Sequence, residues 1–495
     1  MTRSAKQRTL RPLKSLLAAA LMGFGAMQAQ ADTLWEIYLQ ALDNDPQLAA
    51  DRAAYRAGLE AENLGRSALL PQVNASAEVA RVETDASTVR TQLQEVVDEV
   101  TGNTTSQLIN FPISTSSDTD DKTYSASLSQ ALFDLPAWFG YKQGKKVSEQ
   151  AAAEFSANQQ DMMVRVASAY FDVLRAHDVL EAARAEEEAL AKQLEQTQQR
   201  FEVGLTAITD VYDSRSAYDS ARARRLTAQD DLLSNFDALS VLTGKHHDTV
   251  APLVESFSVA PPNPADRASW VNFALANNFS LKAARLNSDA ARLGARASAA
   301  DHLPTLSGSL SYRKATSEGD TDAFGTSIPV DDDIETRIAA ITLNMPLYTG
   351  GRLSASRREA RNLAFRAEDV RNLTERNTIQ DTRTLHRAVT TDASRVEARE
   401  QAVISAKSAL DATQAGYEVG TRNIVDVLLA QRTLAQSQTD YANALYDYVL
   451  NTLNLKLVAG LLAPQDLQEL DSSLNPGDPV SRAHILDTGA VPFSK

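Results

Sequence analysis

The sequence predicts an α+β membrane protein in which long helical hairpins continue from a few amphipathic strands. Three observations predict it: an internal repeat, four segments that alternate apolar and polar residues, and two proline-free helical runs of more than sixty residues. Four strands cannot close a membrane barrel, because the smallest such barrels use eight. A symmetric oligomer must supply the rest. Three copies give a trimeric 12-stranded β-barrel, four strands per chain, continuous with a long α-helical coiled-coil barrel and closed by cyclic symmetry.

The chain of 495 residues carries 49 Lys+Arg against 64 Asp+Glu, a formal net charge of −15, and no Cys. Without cysteine there is no disulfide framework, no Cys-type zinc site, no iron–sulfur cluster and no thiol catalysis. The acidic balance argues against nucleic acid as a partner, since phosphate neutralisation needs a basic face. No Gly-rich phosphate loop, nucleophile elbow or site-spaced His/Asp/Glu constellation occurs, so neither enzymatic activity nor a cofactor or metal is predicted. Residues 1–31 have the parts of a signal peptide: basic Arg3, Lys6, Arg8, Arg11 and Lys14, an apolar stretch from Leu16 to Met27, and Ala29-Gln30-Ala31 before Asp32. After it no run of 18 apolar residues remains, which excludes a transmembrane helix.

The repeat sets the domain organisation. Glu202-Val203-Gly204 matches Glu418-Val419-Gly420 at an offset of 216, and the register holds through Ile208/Ile424, Asp210/Asp426, Asp231/Asp447 and Gly244/Gly460. Upstream, Leu70-Pro71 matches Leu303-Pro304 at 233 and Leu132-Phe133 matches Leu347-Tyr348 at 215, which places about 18 extra residues of the first copy between Thr84 and Lys122. The expected divisions are a first repeat over 32–250, a Pro-rich linker over 251–266, a second repeat over 267–461 and a weakly ordered periplasmic tail over 462–495. Each half reads helix, strand, loop, strand, long helix, hairpin, helix.

Strands are expected near 71–84, 122–134, 304–314 and 335–348. Val73, Ala75, Ala77 and Val79 alternate with Gln72, Asn74, Ser76 and Glu78, and the other three segments repeat the pattern. One small-polar face and one apolar face suit a membrane barrel strand, and alternation alone suits a soluble sheet with one wet face equally well. The helices decide between them. The run from Gly351 to Ala415 would extend about 95 Å at the usual rise. Its return helix carries Val427, Leu434, Tyr441, Tyr448 and Leu455 every seventh residue, a coiled-coil seam. Gly204 and Gly420 are the hairpin turns, where glycine tolerates a left-handed backbone. Asp426, in the first turn of a helix, offsets the helix dipole. His246 and His247 are read as solvated at a helix end, and Asp118, Asp120, Asp121 and Asp331-Asp332-Asp333 as parts of exposed strand-connecting loops.

At Ala412-Thr413-Gln414-Ala415-Gly416-Tyr417-Glu418-Val419-Gly420-Thr421-Arg422-Asn423-Ile424-Val425-Asp426-Val427-Leu428, His302-Leu303-Pro304-Thr305-Leu306, Pro346-Leu347-Tyr348-Thr349-Gly350-Gly351 and Asn454-Leu455-Lys456 the chain resembles the TolC-type outer-membrane channel proteins. The similarity runs from Leu34 to about Leu470. It implies a homotrimer in outer-membrane lipid with its helices in the periplasm. Such a duct exports proteins, small toxic compounds or both, docked to a periplasmic adaptor (membrane-fusion) protein and an inner-membrane ABC or proton-driven pump. It also implies a closed periplasmic end, with a pore constriction at Asp426 and gate links joining Tyr417 and Arg422 to Thr209 and Asp210. Three copies of Asp426 facing one axis would favour cations. Leu429 stands where the closest members of that family carry a second acid. The rival reading is a periplasmic coiled-coil adaptor or scaffold protein without a pore, in which four lipid-compatible strands have no role.

Overall fold

A computed structural model describes residues 31–482, except 98, 100, 101, 103, 255 and 324. The expected signal peptide, apart from Ala31, and the end of the tail from residue 483 lie outside the described residues. The first half runs α1 (Leu34–Asn44), α2 (Pro46–Ser67), β1 (Gln72–Val97), β2 (Thr104–Phe133), α3 (Leu135–Glu202), α4 (Ile208–Thr243) and the short β3 (Thr249–Val250). The second runs α5 (Arg267–Asn277), α6 (Phe279–Ala300), β4 (Thr305–Ala323), β5 (Thr326–Asn344), α7 (Arg352–Glu418) and α8 (Ile424–Val458), followed by α9 (Pro464–Asp471) and β6 (Val480–Ser481). Equivalent helices match in length: 11 and 11, 22 and 22, 68 and 67, 36 and 35 residues. The same device breaks the first helix pair in each half. Asp45 ends α1 and its side chain accepts from Gln47 N–H at 3.0 Å, while Asn278 ends α5 and accepts from Leu281 N–H at 2.8 Å, so one residue closes a helix and caps the next.

The chain folds into two compact units that cut across the sequence repeats. One comprises the described residues up to Ala53, Phe155–Leu281 and the described residues from Glu375; the other comprises Ala54–Glu154 and Lys282–Thr374. The boundaries fall inside α2, α3, α6 and α7.

The second unit holds an antiparallel sheet in the order β1-β2-β4-β5. Its register aligns Val73, Leu128, Leu310 and Ala339 across one face, and Asn74, Ser127, Ser311 and Ile338 across the other. Hydroxyls bridge strands on the polar face: the Ser76 and Ser125 Oγ atoms are 2.7 Å apart. The strands are longer than expected, at 26, 30, 19 and 19 residues. The extra residues of the first copy extend the β1–β2 hairpin as strand. Because β4 ends opposite Thr115, β2 has no β4 partner beyond that point. β5 stops at Asn344, short of the expected 348, because Pro346 has no N–H for the ladder. The acidic clusters are a correction to the loop reading: Asp118, Asp120 and Asp121 lie within β2 and Asp331–Asp333 within β5. Cross-strand partners hold several of them, Arg81 pairing with Asp118 at 2.5 Å, Ser317 donating to Asp121 at 2.6 Å and Lys314 pairing with Asp333 at 2.8 Å.

In the first unit the core gathers Leu34, Ile37 and Tyr38 of α1, Tyr170, Phe171 and Leu174 of α3, Leu232, Phe236 and Leu239 of α4, and Tyr446, Val449 and Leu453 of α8. Burying such side chains contributes roughly 1.5–3 kcal/mol each. The tail is the second correction. Through residue 482 it is packed, because Leu462, Leu467, Leu474 and Val480 enter this core. β6 pairs with β3, Asp471 accepts from Trp35 N–H at 2.8 Å, and Arg482 pairs with Asp237 at 2.8 Å. His247 is the third. Its ring is buried rather than solvated, with Nδ1 2.8 Å from an Asp32 carboxylate oxygen and Nε2 2.7 Å from Thr243 Oγ1. His246 is exposed, 3.6 Å from Asp248.

Candidate functional site: the hairpin tips

The residues expected at the closed end sit on the two hairpin tips, α3–α4 and α7–α8. Both turns are built alike. Gly204 and Gly420 have φ of 78° and 80°, a conformation that glycine adopts without a Cβ clash. The next N–H reaches back into the helix just ended, Leu205 to Arg200 O and Thr421 to Gly416 O, each at 2.8 Å, which satisfies carbonyls that the helix end would leave bare.

The tips differ in how the returning helix starts. α4 begins after Ala207, which has no capping side chain, and the Asp210 carboxylate instead accepts from Thr206 Oγ1. α8 begins with a reciprocal box: the Asn423 side chain accepts from Asp426 N–H at 2.8 Å, and the Asp426 carboxylate accepts from Asn423 N–H at 3.4 Å. Asp426 is therefore fixed in orientation by its own helix start. Arg422 Nη1 lies 3.9 Å from Asp426 Oδ2, with 62% of the arginine side chain and 37% of the aspartate exposed. Leu429, one turn on, is 62% exposed.

The expected gate links join Tyr417 and Arg422 to Thr209 and Asp210; within one chain Arg422 instead lies near Asp426, and Thr209 lies 3.5 Å from the adjacent Asp210. Within one chain the expected Arg422–Asp210 contact is replaced by two local ones, since Asp210 is engaged by Thr206 and Arg422 lies i,i+4 to Asp426 on its own hairpin. Tyr417 is buried in a small core with Leu410, Ile424 and Val427. Its ring lies under the Arg200 guanidinium, 4.9 Å from centroid to Cζ, and its hydroxyl has no hydrogen-bond partner among the described residues. Arg200, Thr206 and Asn423 are site residues that sequence reasoning missed. Only Asn423 carried a signal, the Asn-x-x-acid spacing of a helix start. Exposed Val203, Leu205, Tyr212, Val419 and Val425 leave both tips apolar.

Among the described residues no group of three or more His, Cys, Asp or Glu is arranged to hold a metal ion. None of the described helices is long and apolar enough to cross a membrane.

The model of the family described as "Outer membrane efflux protein" matches residues 37–245 and 270–461. The outer membrane protein TolC of Vibrio cholerae is 35% identical over 94% of this chain and 99% of its own length, and TolC of Escherichia coli is 34% identical over 94% and 89%. The alkaline protease secretion protein AprF of Pseudomonas aeruginosa is 29% identical over 98% and 96%. Among solved structures, VceC of Vibrio cholerae superposes with a TM-score of 0.66 at 18% identity over 86% of this chain and 96% of that one. The CmeC channel of Campylobacter jejuni gives 0.67 at 14% identity over 90% of both chains. With a sheet that has one apolar and one polar face, paired long hairpins and full-length relatives above 30% identity, the chain belongs to the outer membrane efflux protein family.

Proposed function

We propose that three copies of this chain form one outer-membrane exit duct, in which the sheets close a barrel of twelve strands and the helical hairpins build the periplasmic conduit. The observation that carries the proposal is the sheet itself. Among the described residues β1 and β5 are its outer strands with no partner beyond them, and one face is apolar along the row through Val73 and Leu128. Open apolar edges invite pairing with another copy, and cyclic closure removes them.

The protein is an outer-membrane channel of an efflux and secretion family, a transport family and not an enzymatic one. Its cargo includes proteins and small compounds, consistent with relatives named for protease secretion and for efflux. The apolar, hairpin-tipped end suits a periplasmic adaptor and an inner-membrane pump, which supply the energy. Asp426 forms the constriction, and Arg422, Tyr417, Thr209 and Asp210 hold the tips closed. Because Arg422 is largely exposed and its ion pair among the described residues is with Asp426 of its own hairpin, its link to Asp210 is made to an adjacent copy.

Deletion of the gene, scored for both drug sensitivity and loss of secreted proteins, tests this reading. Sensitisation together with lost secretion is expected. A strain unchanged in both, with the protein absent from the outer membrane of the parent, would return the chain to the adaptor or scaffold class.

A further inference from the structure

The two repeats bury the same stripe of their long helices, and then differ. At the 216-residue offset that aligns the hairpin glycines, buried Met162, Val166, Tyr170 and Val173 of α3 correspond to Thr378, Thr382, His386 and Val389 of α7, all buried. A neighbouring stripe does not match. Met163, Ala167 and Phe171 are buried on α3, whereas their α7 counterparts are half-buried Ile379 and exposed Arg383 and Arg387.

On α3 that stripe meets α8 of the same chain at Phe171. The rings of Phe171 and Tyr446 lie 6.1 Å apart, and one turn on Arg175 pairs with Asp447 at 3.1 Å. Moving both partners of the aromatic contact by the same offset turns Phe171 into Arg387 and Tyr446 into Asp230 of α4. The aromatic pair becomes a pair of opposite charges. Arg387 and Asp230 are both exposed, and neither has an ion-pair partner among the described residues. Elsewhere on α7, Arg395 and Arg399 pair within the chain with Asp447 and Asp440. Arg387 also lines, with Arg267, Arg376 and Arg383, a cavity of about 560 Å³ whose wall carries no carboxylate.

We propose that α7 of one copy packs against α4 of the next as α3 packs against α8 within the chain, and that Arg387 forms an ion pair with Asp230 of the adjacent copy. The proposal rests on the trimeric reading above and adds its seam. Internal quasi-symmetry supplies the geometry, and the change from an aromatic to a charged pair makes the contact between copies distinct from the contact within a chain. Cyclic symmetry repeats the pair three times, so every exposed α7 stripe is covered. The seam also brings the arginine cluster against the acidic pair Asp230 and Asp231.

The natural absence of cysteine permits a clean test. Arg387→Cys combined with Asp230→Cys, in the full-length mature protein in detergent, is treated with a short bismaleimide and run under denaturing conditions. Covalent dimers and trimers are expected from the double variant and not from either single one. Arg387→Glu and Asp230→Arg, each alone, should lower the temperature at which the assembled protein dissociates, and the two together should restore it. An assembled trimer in sedimentation analysis with neither cross-linked ladder nor charge-swap rescue would overturn the seam and leave the trimer standing. A monomeric wild type would instead overturn the trimeric reading, and the seam with it.

Discussion

Asp426 serves two physical purposes that substitution can separate. Its carboxylate completes the box with Asn423 and carries the charge assigned to the constriction. Asp426→Asn retains an oxygen acceptor for Asn423 N–H, so the helix start survives while cation-over-anion selectivity falls in salt-gradient recordings. Asp426→Ala loses both, with about 1 kcal/mol of capping added to the selectivity loss. Arg422→Ala should raise conductance by loosening the closed end and, by removing a cation 3.9 Å from Asp426, should increase cation selectivity. Unchanged conductance and selectivity in both variants would dismiss the assignment of the gate. The place of Asp426 in the first turn of α8 was legible because it follows the hairpin glycine locally, whereas its role at the constriction came from the family resemblance. The Tyr446 hydroxyl was not, because it donates to Asp178, 268 residues away, at 2.8 Å. Burial, then the neighbouring Asp178 charge, pushes the Tyr446 phenol well above its ordinary value. A phenol whose folded pKa is raised contributes stability that is intact below the unfolded value of about 10 and lost as pH rises above it. Tyr446→Phe should therefore cost about 1 kcal/mol at neutral pH and weaken the fall in stability above pH 10, as read by thermal unfolding across pH.

At the scale of elements, the helices were nearly complete in the sequence and the strands only half so. Near Val73–Val79 one face is apolar and period two is visible; farther out, in stretches such as Ser317–Ala323 and Asp331–Asp333, both faces are polar and the alternation disappears although the ladder continues. The outer strand residues are held by cross-strand pairs such as Arg81–Asp118, which no periodicity reports. The tail was misread for a related reason: Leu462, Leu467, Leu474 and Val480 are scattered among prolines and charges, and only the core they enter gives them a common side. The turns were legible because glycine is demanded locally. Gly420→Ala places a Cβ at φ 80° and should destabilise the tip by about 1–2 kcal/mol, measurable as faster proteolysis at the hairpin. Gly144 was silent in sequence. A Cβ there would lie 2.2 Å from Ala61 O, so α2 and α3 approach backbone to backbone, and Gly144→Val should lower the melting temperature by separating them.

For the whole molecule, the sequence repeat and the folded units do not coincide. Each unit draws on both halves, with α3 and α7 running from one unit into the other, so the repeat describes how elements recur and not where compact bodies begin and end. What lies between copies leaves only indirect marks in one chain: two open sheet edges, an uncovered stripe on α7, and unmatched charges at Arg387 and Asp230. These marks support a closed assembly, at whose hairpin tips we propose the acidic constriction. The most direct measurement is single-channel conductance of the purified mature protein in a planar bilayer under a salt gradient. The account predicts a small, cation-selective conductance whose selectivity falls with Asp426→Asn. Folded protein that neither inserts nor passes current would contradict it and reduce the four strands to a soluble sheet.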